Sequence, residues 1–139
     1  MEINLAAEQF LNDYFYEPFK QKIEGGKYLE LILSPQCNLK CSYCYQINKS
    51  KKRMTKEIAK EIIDLIFELY YKNDSDFINK NTVGVVFEFI GGEPLVAIDI
   101  IDYSCSYFIQ RCLEENHPWL YTWRISMISN GALYFSPEV

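Results

Sequence analysis

This sequence predicts an α/β fold with a parallel sheet, on three observations. Short apolar runs at residues 28–33, 83–90 and 121–129 alternate with longer segments whose apolar residues recur at helical spacing. The connections between runs are long enough to hold crossover helices, which parallel neighbours require. The runs are nearly continuous in apolar character, as expected of strands covered on both faces.

The elements follow in order. Residues 6–20 carry Phe10, Leu11, Tyr14, Phe15 and Phe19 at helical spacing before Gly25-Gly26, so residues 1–27 are read as a helical extension outside the main repeat. The first strand, 28–33, is bounded by that glycine pair and Ser34-Pro35. A helix over 55–71 places Ile58, Ile62, Ile63, Ile66, Phe67, Leu69 and Tyr70 on one side and Glu57, Lys60, Glu61, Asp64 and Glu68 on the other. Thr55 is its expected N-cap and the polar stretch from Asn73 its exit. The second strand, 83–90, halts at Gly91-Gly92; a helix over 98–115 and a third strand over 121–129 follow. The core domain, 28–139, is thus expected to end just after its third strand, where a further helix would begin.

Composition narrows the function. The 139 residues are 49% hydrophobic and 24% charged, enough to bury a core, and the net charge of -5 argues against nucleic acid as a partner. Apolar stretches fall short of a membrane helix, and Met1-Glu2-Ile3-Asn4 lacks the basic and apolar regions of a secretory signal. The expected compartment is the cytoplasm, without a membrane partner.

Five cysteines are an odd number, and Cys37, Cys41 and Cys44 crowd into one loop after the first strand with CxxxCxxC spacing. That pattern suits a reduced compartment and an inorganic centre better than disulfides. Thiolates are the usual ligands of iron-sulfur clusters. Three of them on a 4Fe-4S cluster leave one iron open to an exogenous ligand. The competing reading is structural zinc, which normally takes four Cys or His ligands; Cys105, Cys112 and His117 are the spare candidates, none at ligand spacing from the loop.

The string from Cys37 to Tyr45, with Tyr43 before the third cysteine, resembles the signature of the radical S-adenosylmethionine superfamily. Gly91-Gly92-Glu93-Pro94 resembles that superfamily's second motif, and Ser129-Asn130-Gly131 a further motif commonest in its peptide- and protein-maturing (SPASM-type) branch. The resemblance implies that Cys37, Cys41 and Cys44 ligate a 4Fe-4S cluster whose fourth iron is chelated by S-adenosylmethionine. Tyr43 would lie against the adenine, Gly91, Gly92 and Glu93 would receive the methionine ammonium, and Asn130 would belong to the same cofactor site. The implied fold is the N-terminal half of a partial, six-stranded TIM-like barrel. The implied reaction is reductive cleavage of S-adenosylmethionine to a 5′-deoxyadenosyl radical. Its implied partners are an external electron donor, the missing C-terminal half of the barrel and a substrate that is a ribosomally made peptide or protein. The alternative is a non-catalytic iron-sulfur or zinc module, or an inactive truncated relic.

The remaining features have plainer readings. Cys105 and Cys112, seven apart, are expected in a helix core. Glu88, on the strand face of Val86 and Ile90, is expected to pair with a hydroxyl or basic side chain such as Arg124. His117 before Pro118 reads as a surface loop residue, and the run 49–53 as a solvated connection.

Overall fold

Three parallel strands in the order β1-β2-β3 form the sheet of the computed structural model, which describes residues 26–46 and 49–139. The helix expected over 6–20 lies outside the described residues. Strand β1 is Lys27–Ser34, β2 is Val85–Gly91 and β3 is Arg124–Met127. Helix α1, Lys56–Lys72, crosses from β1 to β2, and α2, Ile98–Glu114, from β2 to β3. Tyr28 pairs with Val86, Glu30 with Glu88, and Ile32 with Ile90; on the other side Val86 pairs with Arg124 and Glu88 with Ser126.

Alternation along the strands decides what is buried. Leu31, Leu33, Val85, Phe87 and Phe89 face the helices and share one core with Ile63, Ile66, Phe67, Ile100, Ile101, Phe108 and Trp119. Tyr28, Glu30 and Ile32 project from the other face and are exposed, so among the described residues β1 is covered on one face and not on both as its composition suggested. Both crossover helices lie on the same side of the sheet, as their shared core with these strand residues requires.

The helix ends are marked as the sequence indicates. The Thr55 hydroxyl accepts from Ile58 N at 3.3 Å, and Asn73 closes α1 in the left-handed region at φ 56°, donating its N–H to the Leu69 carbonyl. Cys112 is buried and Cys105 packs against the same core; burial pushes their thiols up to about 12 and about 11. Glu88 accepts a bond from the Ser126 hydroxyl at 3.4 Å, the hydroxyl pairing expected of it.

Two expectations need correction. Strand β3 begins at Arg124 and not at residue 121, because Pro118–Tyr121 forms a 3-10 turn and Gly84 meets Thr122 backbone to backbone. A Cβ on Gly84 would sit 2.1 Å from the Thr122 carbonyl oxygen, so this crossing takes glycine alone. His117 is not a surface residue: it is 3% exposed, enclosed by the rings of Phe67, Tyr70 and Trp119 at 4.5 to 5.1 Å. Its Nδ1 accepts from Trp119 N at 3.2 Å, which starts the 3-10 turn, and burial holds its pKa below the ordinary value.

Candidate metal centre

The three motifs emerge from the C-terminal ends of three adjacent strands, so the parallel sheet gathers segments far apart in sequence. The cysteine loop leaves β1 and is fastened at both ends. At its root, Gly92 N donates to the Ser34 carbonyl and Glu93 N to the Gln36 carbonyl, each at 2.8 Å. At its return, Met54 N donates to the Leu33 carbonyl at 2.8 Å and the Ser34 hydroxyl donates to the Lys52 carbonyl at 3.0 Å.

These contacts give the glycine pair a steric cause. A Cβ on Gly91 would lie 2.3 Å from the Ser34 oxygen, and one on Gly92 would lie 2.3 and 2.4 Å from the oxygens of Gln36 and Pro35. The space a side chain would fill is therefore taken by the backbone of the cysteine loop, which could not come this close to β2 otherwise.

Within the loop Cys41 is exposed and Cys37 and Cys44 are half-buried, and all three border a cavity of about 450 Å³ together with Lys40 and Lys49. Among the described residues no three Cys, His, Asp or Glu side chains are drawn close enough to hold a metal ion, so the thiols share this cavity without closing on one point. Cys37 Sγ accepts from Leu39 N at 3.4 Å and Cys44 N donates to the Cys41 carbonyl at 3.2 Å, a compact turn that keeps the cysteines on one short segment. The donor set fits an iron-sulfur cluster. It does not fit a closed zinc site, since Cys112 and His117 are buried in the core near the opposite end of the strands.

A second cavity, of about 400 Å³, opens beside the first and shares Gln46 with it. Gly91, Gly92 and Asn130 line it, with Ile32, Ile90 and Ile128 from the ends of the strands or just beyond them. Two expected residues lie elsewhere. Tyr43 is 88% exposed and does not line this cavity; Tyr45, to which sequence reasoning gave no role, does. Glu93 is 1% exposed and turned inward, where Oε1 accepts from Leu95 N and the Ser129 hydroxyl and Oε2 from Asn130 N, at 2.8 to 3.0 Å. A buried carboxylate has to be satisfied this way. Its effect is to clamp the start of the Ser129-Asn130-Gly131 turn to β2.

That turn reaches the cysteine loop as well. Asn130 Nδ2 donates to Asn38 Oδ1 at 2.9 Å and lies 3.7 Å from Cys37 Sγ, while Gly131 takes a positive φ of 77°. One chain of contacts thus runs from Glu93 through Asn130 to Cys37. Tyr45 and Gln46 could have been found from their position directly after Cys44; the Glu93 clamp has no local sequence signal, because its partners lie 36 and 37 residues away.

Residues 24–130 match the family described as a 4Fe-4S single cluster domain, and that span holds the cysteine loop, the glycine pair and Asn130. An uncharacterized protein of Methanocaldococcus jannaschii, MJ0907, is 34% identical over 85 residues, which are 61% of this chain and 26% of that protein. The chain therefore spans about a quarter of that relative's length. Matched over most of its residues, the chain belongs to the 4Fe-4S single cluster domain family.

Proposed function

We propose that this chain is the N-terminal part of a radical S-adenosylmethionine enzyme, with Cys37, Cys41 and Cys44 holding a 4Fe-4S cluster and the neighbouring cavity receiving the cofactor. The observation that carries the reading is the meeting of three motifs at one end of one parallel sheet, with Asn130 touching Cys37 across 93 residues. The order β1-β2-β3 with both helices on one side is compatible with a partial barrel, which supports this reading. When bound, the two groups supply reductive cleavage of the sulfonium and a 5′-deoxyadenosyl radical that takes hydrogen from a substrate.

The chain's own residues do the positioning. Cys37, Cys41 and Cys44 would hold three irons of such a cluster and leave the fourth for an exogenous ligand. Gly91 and Gly92 offer backbone to the methionine ammonium, Asn130 borders the same cavity, and Glu93 holds Asn130 in place from behind. Among the described residues no charged side chain lines this cavity, which suits a cofactor bearing its own sulfonium cation. Tyr45, Ile32, Ile90 and Ile128 give its adenosyl end an apolar wall. The complete enzyme, with the rest of its barrel, acts on a peptide or protein side chain.

The test is anaerobic reconstitution with iron and sulfide. A 4Fe-4S spectrum is expected, lost on replacing Cys37, Cys41 or Cys44 by Ala and kept in Cys105→Ala. S-adenosylmethionine should then alter the EPR signal of the reduced cluster. Bound zinc without labile sulfide would overturn the reading, and an unaltered signal would leave a non-catalytic iron-sulfur module. For the substrate class, a neighbouring encoded peptide co-expressed with the complete enzyme should change mass in a manner that depends on the three cysteines.

A further inference from the structure

Asn130 is held at its main-chain nitrogen and at both polar atoms of its side chain. Its N–H donates to Glu93 Oε2 at 2.8 Å, its Oδ1 accepts from Ala132 N at 2.9 Å, and its Nδ2 donates to Asn38 Oδ1 at 2.9 Å. A main-chain N–H can only donate, so the atom facing Ala132 is the oxygen and the amide nitrogen has to point towards the cysteine loop. That nitrogen carries two hydrogens. One goes to Asn38, and the other is left for Cys37 Sγ, 3.7 Å away.

The three sulfurs are thereby made unequal. Cys37 Sγ, half-buried, faces two N–H donors, the Leu39 main chain at 3.4 Å and Asn130 Nδ2. Cys44 Sγ faces an acceptor, the Gln46 carbonyl, at 3.8 Å, and the exposed Cys41 Sγ has no hydrogen-bond partner among the described residues. The Leu39 contact is local to the loop. The Asn130 contact reaches across 93 residues from the turn after β3, and the same side chain borders the cofactor cavity.

A tie between two loops explains the bond to Asn38 and leaves the second hydrogen without a purpose. Chemistry at the sulfur supplies one. Asn38 Oδ1 lies 3.8 Å from Cys37 Sγ, where it would repel an anionic sulfur, and Asn130 occupies that oxygen while turning its other N–H to the sulfur. Hydrogen bonds to the sulfurs are among the factors that set the potential of an iron-sulfur cluster. An N–H aimed at a ligating sulfur favours the more negative, reduced state, and does so more strongly where water is partly excluded.

We propose that Asn130 is a positioning residue that acts through Cys37: its side-chain N–H raises the reduction potential of the cluster, so that the ease of reduction is set from the turn after β3 and not by the cysteine loop alone. The inference rests on the cluster reading above and deepens it. In the step concerned, one electron passes from an external reductant to the cluster; the reductant is oxidised by one, the cluster reduced by one, and no bond is made or broken. Asn130 shifts the balance of that step without taking part in it.

Redox titration of the reconstituted chain with dithionite, followed by EPR, tests it. Asn130→Ala should shift the one-electron reduction equilibrium about tenfold towards the oxidised cluster, which is about 59 mV in midpoint potential, with iron per chain unchanged. Asn38→Ala breaks the tie between the turn and the loop but leaves the N–H on the sulfur, and should not lower the potential. An unchanged potential in Asn130→Ala would overturn the proposal while leaving the cluster reading intact. Equal falls in the two variants would also overturn it, by assigning the effect to the tie. A second measurement needs no iron: in the unloaded chain the NMR signals of the Asn130 side-chain amide should move on Cys37→Ala and hold on Cys41→Ala. Signals that respond to neither would show the contact to be absent and end the inference. A chain that shows the contact yet takes up no iron would overturn the cluster reading, and this inference with it.

Discussion

The two ends of this one sheet are built differently. Before β2 and β3 the chain packs rings against rings: Phe67, Tyr70, His117 and Trp119 lie with centroids 4.5 to 5.5 Å apart, and the Trp119 indole N–H donates to the Thr82 carbonyl at 2.9 Å. Beyond the C-terminal ends, polar side chains and bare backbone make the contacts, and Tyr43 and Tyr45 stand 88% and 85% exposed. The aromatic end holds the fold through shape and burial. The other end holds loops through a few directional bonds and keeps room for what binds there, as expected where function sits on loops raised by a rigid base.

Substitutions can break this division one end at a time. Trp119→Ala should cost the most, about 3–5 kcal/mol, because it empties the centre of the aromatic packing. Urea titration measures the loss, and iron uptake by the molecules that remain folded should be unaffected. Gly92→Ala should cost about 1–3 kcal/mol, since the added carbon meets backbone and not a side chain that can swing aside. Unlike the tryptophan variant, it should also lower the iron bound per folded chain, by moving the root of the cysteine loop. If Gly92→Ala loses stability and retains full iron content, the two ends are less separate than described.

More local effects sharpen the contrast. Ser129→Ala removes one of three bonds to the buried Glu93 carboxylate and should cost about 1.5–3 kcal/mol if no other donor replaces it. Its signature is faster hydrogen exchange at the amides of Asn130 and Gly131, with the aromatic end unchanged.

The smallest effect concerns acid. Burial lowers the pKa of His117 in the fold, with Lys80 and Arg111 acting in the same direction and Glu115 opposing them. The unfolded chain therefore takes up a proton as pH falls below its ordinary value of about 6.5, while the folded chain does not. This contribution is present above that pH and is lost as pH falls through the folded pKa. His117→Phe should flatten that part of the stability profile, as measured by denaturation at successive pH values.

Legibility in the sequence follows the same division. The cysteine spacing, the glycine pair and the Asn130 motif could be read directly because each lies within a few consecutive residues and each follows an apolar run. Helix α1 was equally plain, since its face, its Thr55 cap and its Asn73 exit are all local. What could not be read depends on contacts across the chain. His117 looked like a loop residue because its neighbours in sequence are polar or proline; its ring partners Phe67 and Tyr70 come from α1. The start of β3 was misplaced for a related reason, since Pro118 and the His117 cap turn an apolar run into a 3-10 turn. Tyr43 and Tyr45 flank Cys44 and only their orientation separates them, which no spacing rule encodes.

The loop fastened at Ser34–Gln36 and again at Lys52–Met54 changes how metal uptake and folding are related. In small metal-dependent domains the polypeptide is unfolded until the metal arrives, so that binding energy is spent on the whole fold. Here three of the four anchoring bonds join main-chain atoms, the fourth uses the Ser34 hydroxyl, and none needs iron. Only the stretch between the anchors has to settle, and the entropy of closing that loop is already offset by the anchors. Assembly of the cluster is then a local ordering on a finished scaffold. Circular dichroism should be nearly the same before and after reconstitution, and loss of the cluster in air should leave a chain able to be loaded again.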